Sequence, residues 1–148
     1  EIIKIAKNNN VKVHIPVDVV CAKEFDNNSP AKVFDIMNID KDYEGMDAGP
    51  KSLLKFKEVV LNSKTILWNG PLGVFEFSNF SKGTKELGKY ISESTQNGAF
   101  SLVGGGDSVA AVKSFKMQKN MSYVSTGGGA MLESLEGKNL PGINALLK

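Results

Sequence analysis

Three short glycine-bearing segments hold the residues best suited to chemistry: Asn69-Gly70-Pro71-Leu72-Gly73, Gly104-Gly105-Gly106-Asp107-Ser108 and Ser125-Thr126-Gly127-Gly128-Gly129. Each follows a β-branched or apolar run and leads towards an amphipathic stretch, so each reads as a turn from a strand into a helix. In a parallel sheet all three turns lie at the carboxyl ends of strands, the edge where α/β proteins bind ligands. Glycine lets the backbone approach a ligand closely and take up positive φ. The helix that follows offers unpaired N–H groups and a dipole worth roughly half a positive charge. Two such helix starts facing one crevice would hold clustered negative charge, and phosphates fit that description best.

The turns differ from the better-known phosphate motifs. No Gly-Lys-Ser or Gly-Lys-Thr follows any of them, so none is a P-loop. Gly104-x-Gly106 is followed by Val109 where the dinucleotide fingerprint has its third glycine. Asp107 reads either as a helix N-cap or as a carboxylate holding Mg²⁺ beside bound phosphates, and one residue can serve both purposes. Glu76 is either a solvated acid or an acceptor for a ribose diol. His14 lies in a strand-like run and Trp68 at a strand end, where packing is the simpler role for each; Asp18 is open to either reading.

The elements that must position these residues alternate between strand-like and helical patterns, which predicts an α/β fold: a doubly wound, mainly parallel, Rossmann-like sheet. Strands are expected over residues 11–17, 64–68, 99–103 and 122–125, with a further short one over 19–25. Helices are expected over 1–7, 52–62 (with Pro50 in its first turn), 79–96, 108–116 and 130–135, with one or two more turns in 140–147. Residues 26–49, broken by Asn27-Asn28-Ser29-Pro30 and by Gly45 and Gly49, read as an irregular excursion with at most one strand near 31–34.

The 148 residues suit one domain, with 41% hydrophobic and 23% charged residues and a net charge of +2. All 18 basic residues are lysine. Without arginine forks a nucleic-acid module is disfavoured, and a bidentate clamp on a phosphate must come from elsewhere. Apolar runs fall far short of the roughly 18 residues of a membrane span, no secretory signal opens the chain, and the single Cys21 leans towards a reducing compartment. A cytoplasmic protein with no nucleic-acid or membrane partner is expected. The chain opens on Glu1 inside a helical pattern, without an initiator Met, and is expected to be an incomplete piece.

Read in order, Ile15-Pro16-Val17-Asp18, Gly45-Met46-Asp47-Ala48-Gly49-Pro50, residues 68–76 (WNGPLGVFE), 104–108 (GGGDS), 125–130 (STGGGA) and 135–142 (LEGKNLPG) resemble the phosphoglycerate kinase family across essentially the whole chain. WNGPLGVFE is the most specific of these strings. The resemblance is to the later part of that family's C-terminal, nucleotide-binding domain, so residues 1–148 read as a partial domain. It implies reversible phosphoryl transfer from 1,3-bisphosphoglycerate to ADP, giving 3-phosphoglycerate and ATP with Mg²⁺, a step of glycolysis. By position, Asn69, Gly70, Pro71, Gly73, Val74, Phe75 and Glu76 match the segment lining the nucleotide site, with Glu76 on the ribose. Gly105, Gly106, Asp107 and Ser108 match the phosphate and magnesium segment, with Asp107 facing the metal. The family commonly has Thr where Ser108 stands, which keeps the hydroxyl. Gly127, Gly128 and Gly129 match the helix start facing the transferring group and the substrate carboxyl. Gly106, Gly128 and Gly129 are thereby the implied catalytic positions.

The resemblance also implies a monomeric enzyme whose residues 140–148 pack on an N-terminal domain outside this chain. The family's remaining cationic groups, a basic patch on that domain and a Gly-Ala-Lys segment early in the nucleotide domain, have no match here. The 148 residues alone are therefore expected to be inactive. A non-catalytic nucleotide-binding module is the alternative, and the missing third glycine argues against half of a dinucleotide-binding oxidoreductase.

Overall fold

Each of the three glycine turns ends a strand of one parallel sheet. In a computed structural model, which describes residues 1–147, β4 (Thr65–Asn69), β5 (Phe100–Gly104) and β6 (Tyr123–Val124) pair in parallel in the order β4-β5-β6. The crossovers are α3 (Lys82–Gln96) and α4 (Gly106–Ser114), and α5 (Gly128–Leu135) follows β6. The expected α/β fold with a parallel sheet is thus present.

Alternation along the strands sorts the residues onto the two faces. Ile66, Trp68, Val103 and Val124 point to one face and pack with Ile91, Val112, Met117 and Met121, so α3 and α4 cover it together with α2 (Pro50–Leu61). Gly88 makes the close approach of α3 possible, since a Cβ there would stand 2.6 Å from Met117 Sδ and 3.3 Å from the Trp68 ring. The other face carries Leu67, Phe100 and Tyr123, which are 45%, 50% and 59% exposed. Parallel sheets are ordinarily covered on both sides; here the second side is largely open, in keeping with an incomplete domain.

The first third differs from expectation. Residues 11–17 form no strand, although Val11, Val13 and Ile15 alternate as a strand would; no neighbouring strand pairs with them, and all three are exposed. Residues 26–49 are far from irregular. After α1 (Ile2–Asn8), β1 (Asp18–Ala22) is flanked by β2 (Lys32–Asp35) and β3 (Glu44–Ala48) in an antiparallel sheet of order β2-β1-β3. Its apolar side, with Ala22 and Met46, closes over Phe80, Val74 and Phe77. Residues 140–147 contain α6 (Pro141–Leu146), exposed along nearly all its length.

Two buried aspartates of this antiparallel sheet hold the starts of α2 and α3. Gly49 stands at the N-cap of α2 with no side chain to offer. Asp18 replaces the cap from β1, its two oxygens accepting the N–H groups of Lys51 at 3.0 Å and Ser52 at 2.7 Å. At α3 the N-cap Ser81 makes no side-chain bond to the helix start, its hydroxyl donating instead to the Ser78 carbonyl at 3.2 Å, and Asp47 of β3 accepts the Gly83 N–H at 2.6 Å. Oxygens supplied from a distance thus satisfy donors that an isolated helix leaves open.

Candidate functional site

The candidate site is built on the carboxyl edge of the parallel sheet. β4 ends in Asn69-Gly70. Trp68 donates its indole N–H to the Gly70 carbonyl at 2.8 Å, and the turn this closes needs Gly70 at φ 108°. β5 ends in Gly104-Gly105. Gly105 is the N-cap of α4 at φ 86°, against which the Asn69 side-chain oxygen packs. The fully buried Ser108 hydroxyl joins the first two turns by accepting the Gly70 N–H at 2.6 Å.

The third turn meets the second directly. A Cβ on Gly128 would lie 2.5 Å from the Gly105 nitrogen and 2.9 Å from its Cα, so only glycine lets α5 start where it does. Below this contact the Met131 side chain lies against Gly104, seating α5 on β5. Next to it Gly106, Gly127 and Gly129 face open space, with nothing within 4 Å of a built Cβ. The first backbone bonds of the two helices run from Val109 to Gly105 and from Met131 to Gly127. The N–H groups of Gly106, Asp107 and Ser108, and of Gly128, Gly129 and Ala130, precede those ladders and remain for an outside acceptor. Two helix starts therefore converge on one open edge, where the dipoles add.

Asp107 occupies the first turn of α4 within the helix, so its N-cap role passes to Gly105, the residue free to take positive φ. Its side chain is exposed and makes no hydrogen bond among the described residues. Those residues contain no cluster of three or more His, Cys, Asp or Glu able to hold a metal. A single carboxylate beside a phosphate site suits Mg²⁺, which takes one or two protein carboxylates and completes its shell with phosphate oxygens and water.

Beyond Gly70 the first loop turns away from the helix starts. Pro71, Leu72, Gly73 and Val74 face Gly45, Met46, Asp47 and Ala48 across a largely apolar hollow of about 340 Å³ that Pro16, Val19 and Ile36 also line. Val74 N–H donates to the Met46 carbonyl at 2.9 Å, and Leu72 and Gly73 N–H to Thr84 Oγ1 at 3.1 and 3.3 Å. Phe75 is half-buried; Glu76 is exposed and makes no hydrogen bond among the described residues. The expected residues thus divide into a phosphate-like edge (Asn69, Gly70, Gly105–Ser108, Gly127–Gly129) and an apolar hollow (Pro71–Val74), with Glu76 beyond both.

Family comparison decides what this arrangement belongs to. The family model described as phosphoglycerate kinase matches residues 1–138. The chain belongs to the phosphoglycerate kinase family. It is 56% identical over 146 residues to phosphoglycerate kinase of Porphyromonas gingivalis, covering 99% of this chain and 35% of that one. The Plasmodium falciparum phosphoglycerate kinase is 50% identical over 147 residues, with 99% and 35% covered. Phosphoglycerate kinase from Coxiella burnetii superposes with a TM-score of 0.89 at 42% identity, over 95% of this chain and 36% of that one. The chain thus spans about 35% of the length of the curated phosphoglycerate kinases it matches. No helix of the described residues is long and apolar enough to cross a membrane.

The sequence pattern assigned no role to Asp47, Met46 or Thr84. Gly45-Met46-Asp47-Ala48 contributes to the resemblance to phosphoglycerate kinase, but only the pairing of β3 with β1 brings it opposite the loop at 70–74. Asp18, open in the sequence, is a helix cap. Trp68 and His14 hold no chemistry of the site: Trp68 is buried in the core, and exposed His14 lines a surface hollow with Lys12, Lys55 and Glu58.

Proposed function

We propose that this chain supplies the nucleotide and magnesium part of a phosphoglycerate kinase, the enzyme of glycolysis that moves a phosphoryl group reversibly between 1,3-bisphosphoglycerate and ADP. The observation that carries this reading is the contact of Gly128 with the Gly105 backbone, which aims the starts of α4 and α5 at one place. Phosphoryl transfer asks the protein mainly to position its reactants and to neutralise charge. Backbone N–H groups of Gly106–Ser108 and Gly128–Ala130 would take the phosphate oxygens, fixed in direction before the ligand arrives. Asp107 would hold Mg²⁺, which supplies charge neutralisation between phosphate oxygens when bound. Gly106 and Gly129, open on their outer sides, would admit the transferring group closely.

The hollow between residues 71–74 and 45–48 has the size and apolar walls to take the nucleotide base. Glu76, exposed and with no hydrogen-bond partner among the described residues, would then reach the ribose. The Ser108 side chain serves this site indirectly, since its hydroxyl oxygen accepts the Gly70 N–H, while its backbone N–H is one of the phosphate donors. Residues 140–148 would dock on a substrate-binding domain outside this chain; α6 is exposed and free to do so. The intact enzyme would work as a cytoplasmic monomer.

The test is calorimetric titration of the intact protein with ADP, with and without Mg²⁺, alongside a coupled kinase assay. Binding that needs Mg²⁺, with turnover, supports the reading. Nucleotide binding with no turnover in the intact protein would favour a non-catalytic module, and no binding would end both. The 148 residues alone are expected to show no turnover, because every cation here is lysine and no arginine clamps the phosphates.

A further inference from the structure

We propose that Asp47 is a positioning residue for the nucleotide loop 70–74, its ionised carboxylate locking β3, that loop and the start of α3 into one unit. This rests on the reading of the 70–74 loop as part of the nucleotide site.

The carboxylate is 3% exposed, and each of its oxygens is used. Oδ2 accepts the Gly83 N–H of α3 at 2.6 Å, and Oδ1 accepts the Ala48 N–H at 2.8 Å. Gly73 of the loop and Gly83 of the helix pack on it from two sides, and a methyl group on either would overlap the carboxylate. The flanking residues extend the same joint. Met46, one before Asp47, receives Val74 N–H, and Thr84, one after Gly83, receives the N–H groups of Leu72 and Gly73. Among the described residues, every hydrogen bond that residues 72–74 donate therefore ends within one residue of the Asp47–Gly83 pair, and the Val74 carbonyl accepts only the local Phe77 N–H. The inner wall of the hollow is the same backbone, residues 45–48.

The lock depends on charge. Burial pushes the Asp47 carboxyl up to about 6, against the pull of the Gly83 and Ala48 N–H groups and the Lys82 charge. Lys82 is the charged group facing it from α3; β1 sets Val20 opposite it, residues 70–74 bring no titratable side chain, and the Asp18 carboxylate lies against Gly49, two residues along. When Asp47 takes up a proton, an O–H must face one of the two N–H donors, and that bond is lost. An amide in its place has the same fault at every pH, because its NH₂ must face one of those donors.

The experiment compares the intact enzyme with its Asp47→Asn variant in the coupled assay. In the variant, KM for Mg-ADP should rise about tenfold at pH 7.5, the scale of a displaced binding group, while KM for the glycerate substrate stays within about twofold. Adenosine, which has no group titrating between pH 5 and 7.5, serves as the binding probe. Its affinity for the wild-type enzyme should fall several-fold from pH 7.5 to 5 and stay level for Asp47→Asn. A variant that melts lower but keeps the wild-type nucleotide KM and pH profile makes Asp47 a structural residue only, and overturns the proposal. Should Asp47→Asn fail to fold, wild-type adenosine affinity level across that pH range overturns it equally. A wild-type enzyme that binds neither ADP nor adenosine at pH 7.5 would instead remove the nucleotide reading, and this proposal with it.

Discussion

Gly128 and Gly105 touch backbone to backbone: a Cβ on Gly128 would stand 2.5 Å from the Gly105 nitrogen, while one on Gly129, the next residue, would meet nothing within 4 Å. That difference separates fold from function. Gly128→Ala should destabilise by about 1–3 kcal/mol, as overpacking of fixed atoms does. By shifting α5 it should also lower kcat/KM by about 10²-fold. Gly129→Ala and Gly106→Ala should leave stability level or raise it by roughly 0.5 kcal/mol, alanine being the better helix former, yet still lower kcat where the added methyl meets the phosphates. Thermal melts with steady-state kinetics on the three variants check this. Wild-type kinetics in Gly129→Ala and Gly106→Ala would place the reacting group elsewhere.

Asp107 offers a cleaner separation, because its side chain is exposed and bonds to no described residue. Asp107→Ala should cost less than about 1 kcal/mol of stability, the value of an acid in a helix's first turn. Activity should fall by about 10²-fold or more, as when one transition-state contact is removed. The Mg²⁺ concentration giving half-maximal rate should rise with it. A variant with the wild-type Mg²⁺ dependence would make Asp107 a dipole partner of α4 and nothing more.

How much of this was legible beforehand follows from how local each cause is. The glycine turns at 69–73, 104–108 and 125–129 could be read because strand pattern, glycine and helix start sit within a few residues. Of the two readings open for Asp107, the cap belongs instead to Gly105, whose positive φ of 86° suits a residue without a side chain. Asp18 and Asp47 gave no local sign of their task. They cap helices that start at Pro50 and Lys82, and only the pairing of β1 with β3 brings them there. Residues 11–17 show the opposite case, with alternation correct for a strand but no second strand to complete it.

Ser108 shows how one buried hydroxyl can unite two turns. It is 0% exposed and accepts the Gly70 N–H at 2.6 Å. Ser108→Ala leaves that donor without a partner and should cost about 1–3 kcal/mol. Trp68 reports the result, being the chain's single tryptophan and bonded through its indole N–H to the carbonyl of the same Gly70. Its emission should shift as the turn loosens, and KM for Mg-ADP should rise. An unchanged melt and unchanged emission would mean that the turn holds its shape without Ser108.

Asp18 should make stability depend on acid in a defined direction. Burial works to raise its carboxyl, but bonds from the Ser52 hydroxyl and the Lys51 and Ser52 N–H groups, with the Lys51 charge, outweigh it and hold it below the ordinary value of 3.8. A carboxylate depressed on folding adds stability that is present above the unfolded value and lost as pH falls through the folded one. This contribution is therefore in place at pH 7 and fades below about pH 4. Asp18→Asn keeps one acceptor oxygen and turns an NH₂ towards the other donor, so it should destabilise by about 1–3 kcal/mol at pH 7. The gap between variant and wild type should narrow as pH falls below about 4, because the unfolded wild-type aspartate then takes up a proton that the folded one resists, and folding loses the advantage of the charge. Urea unfolding of both proteins at pH 7 and pH 3 measures the two gaps; a gap of equal size at both would show that the charge of Asp18 adds nothing to its hold on α2.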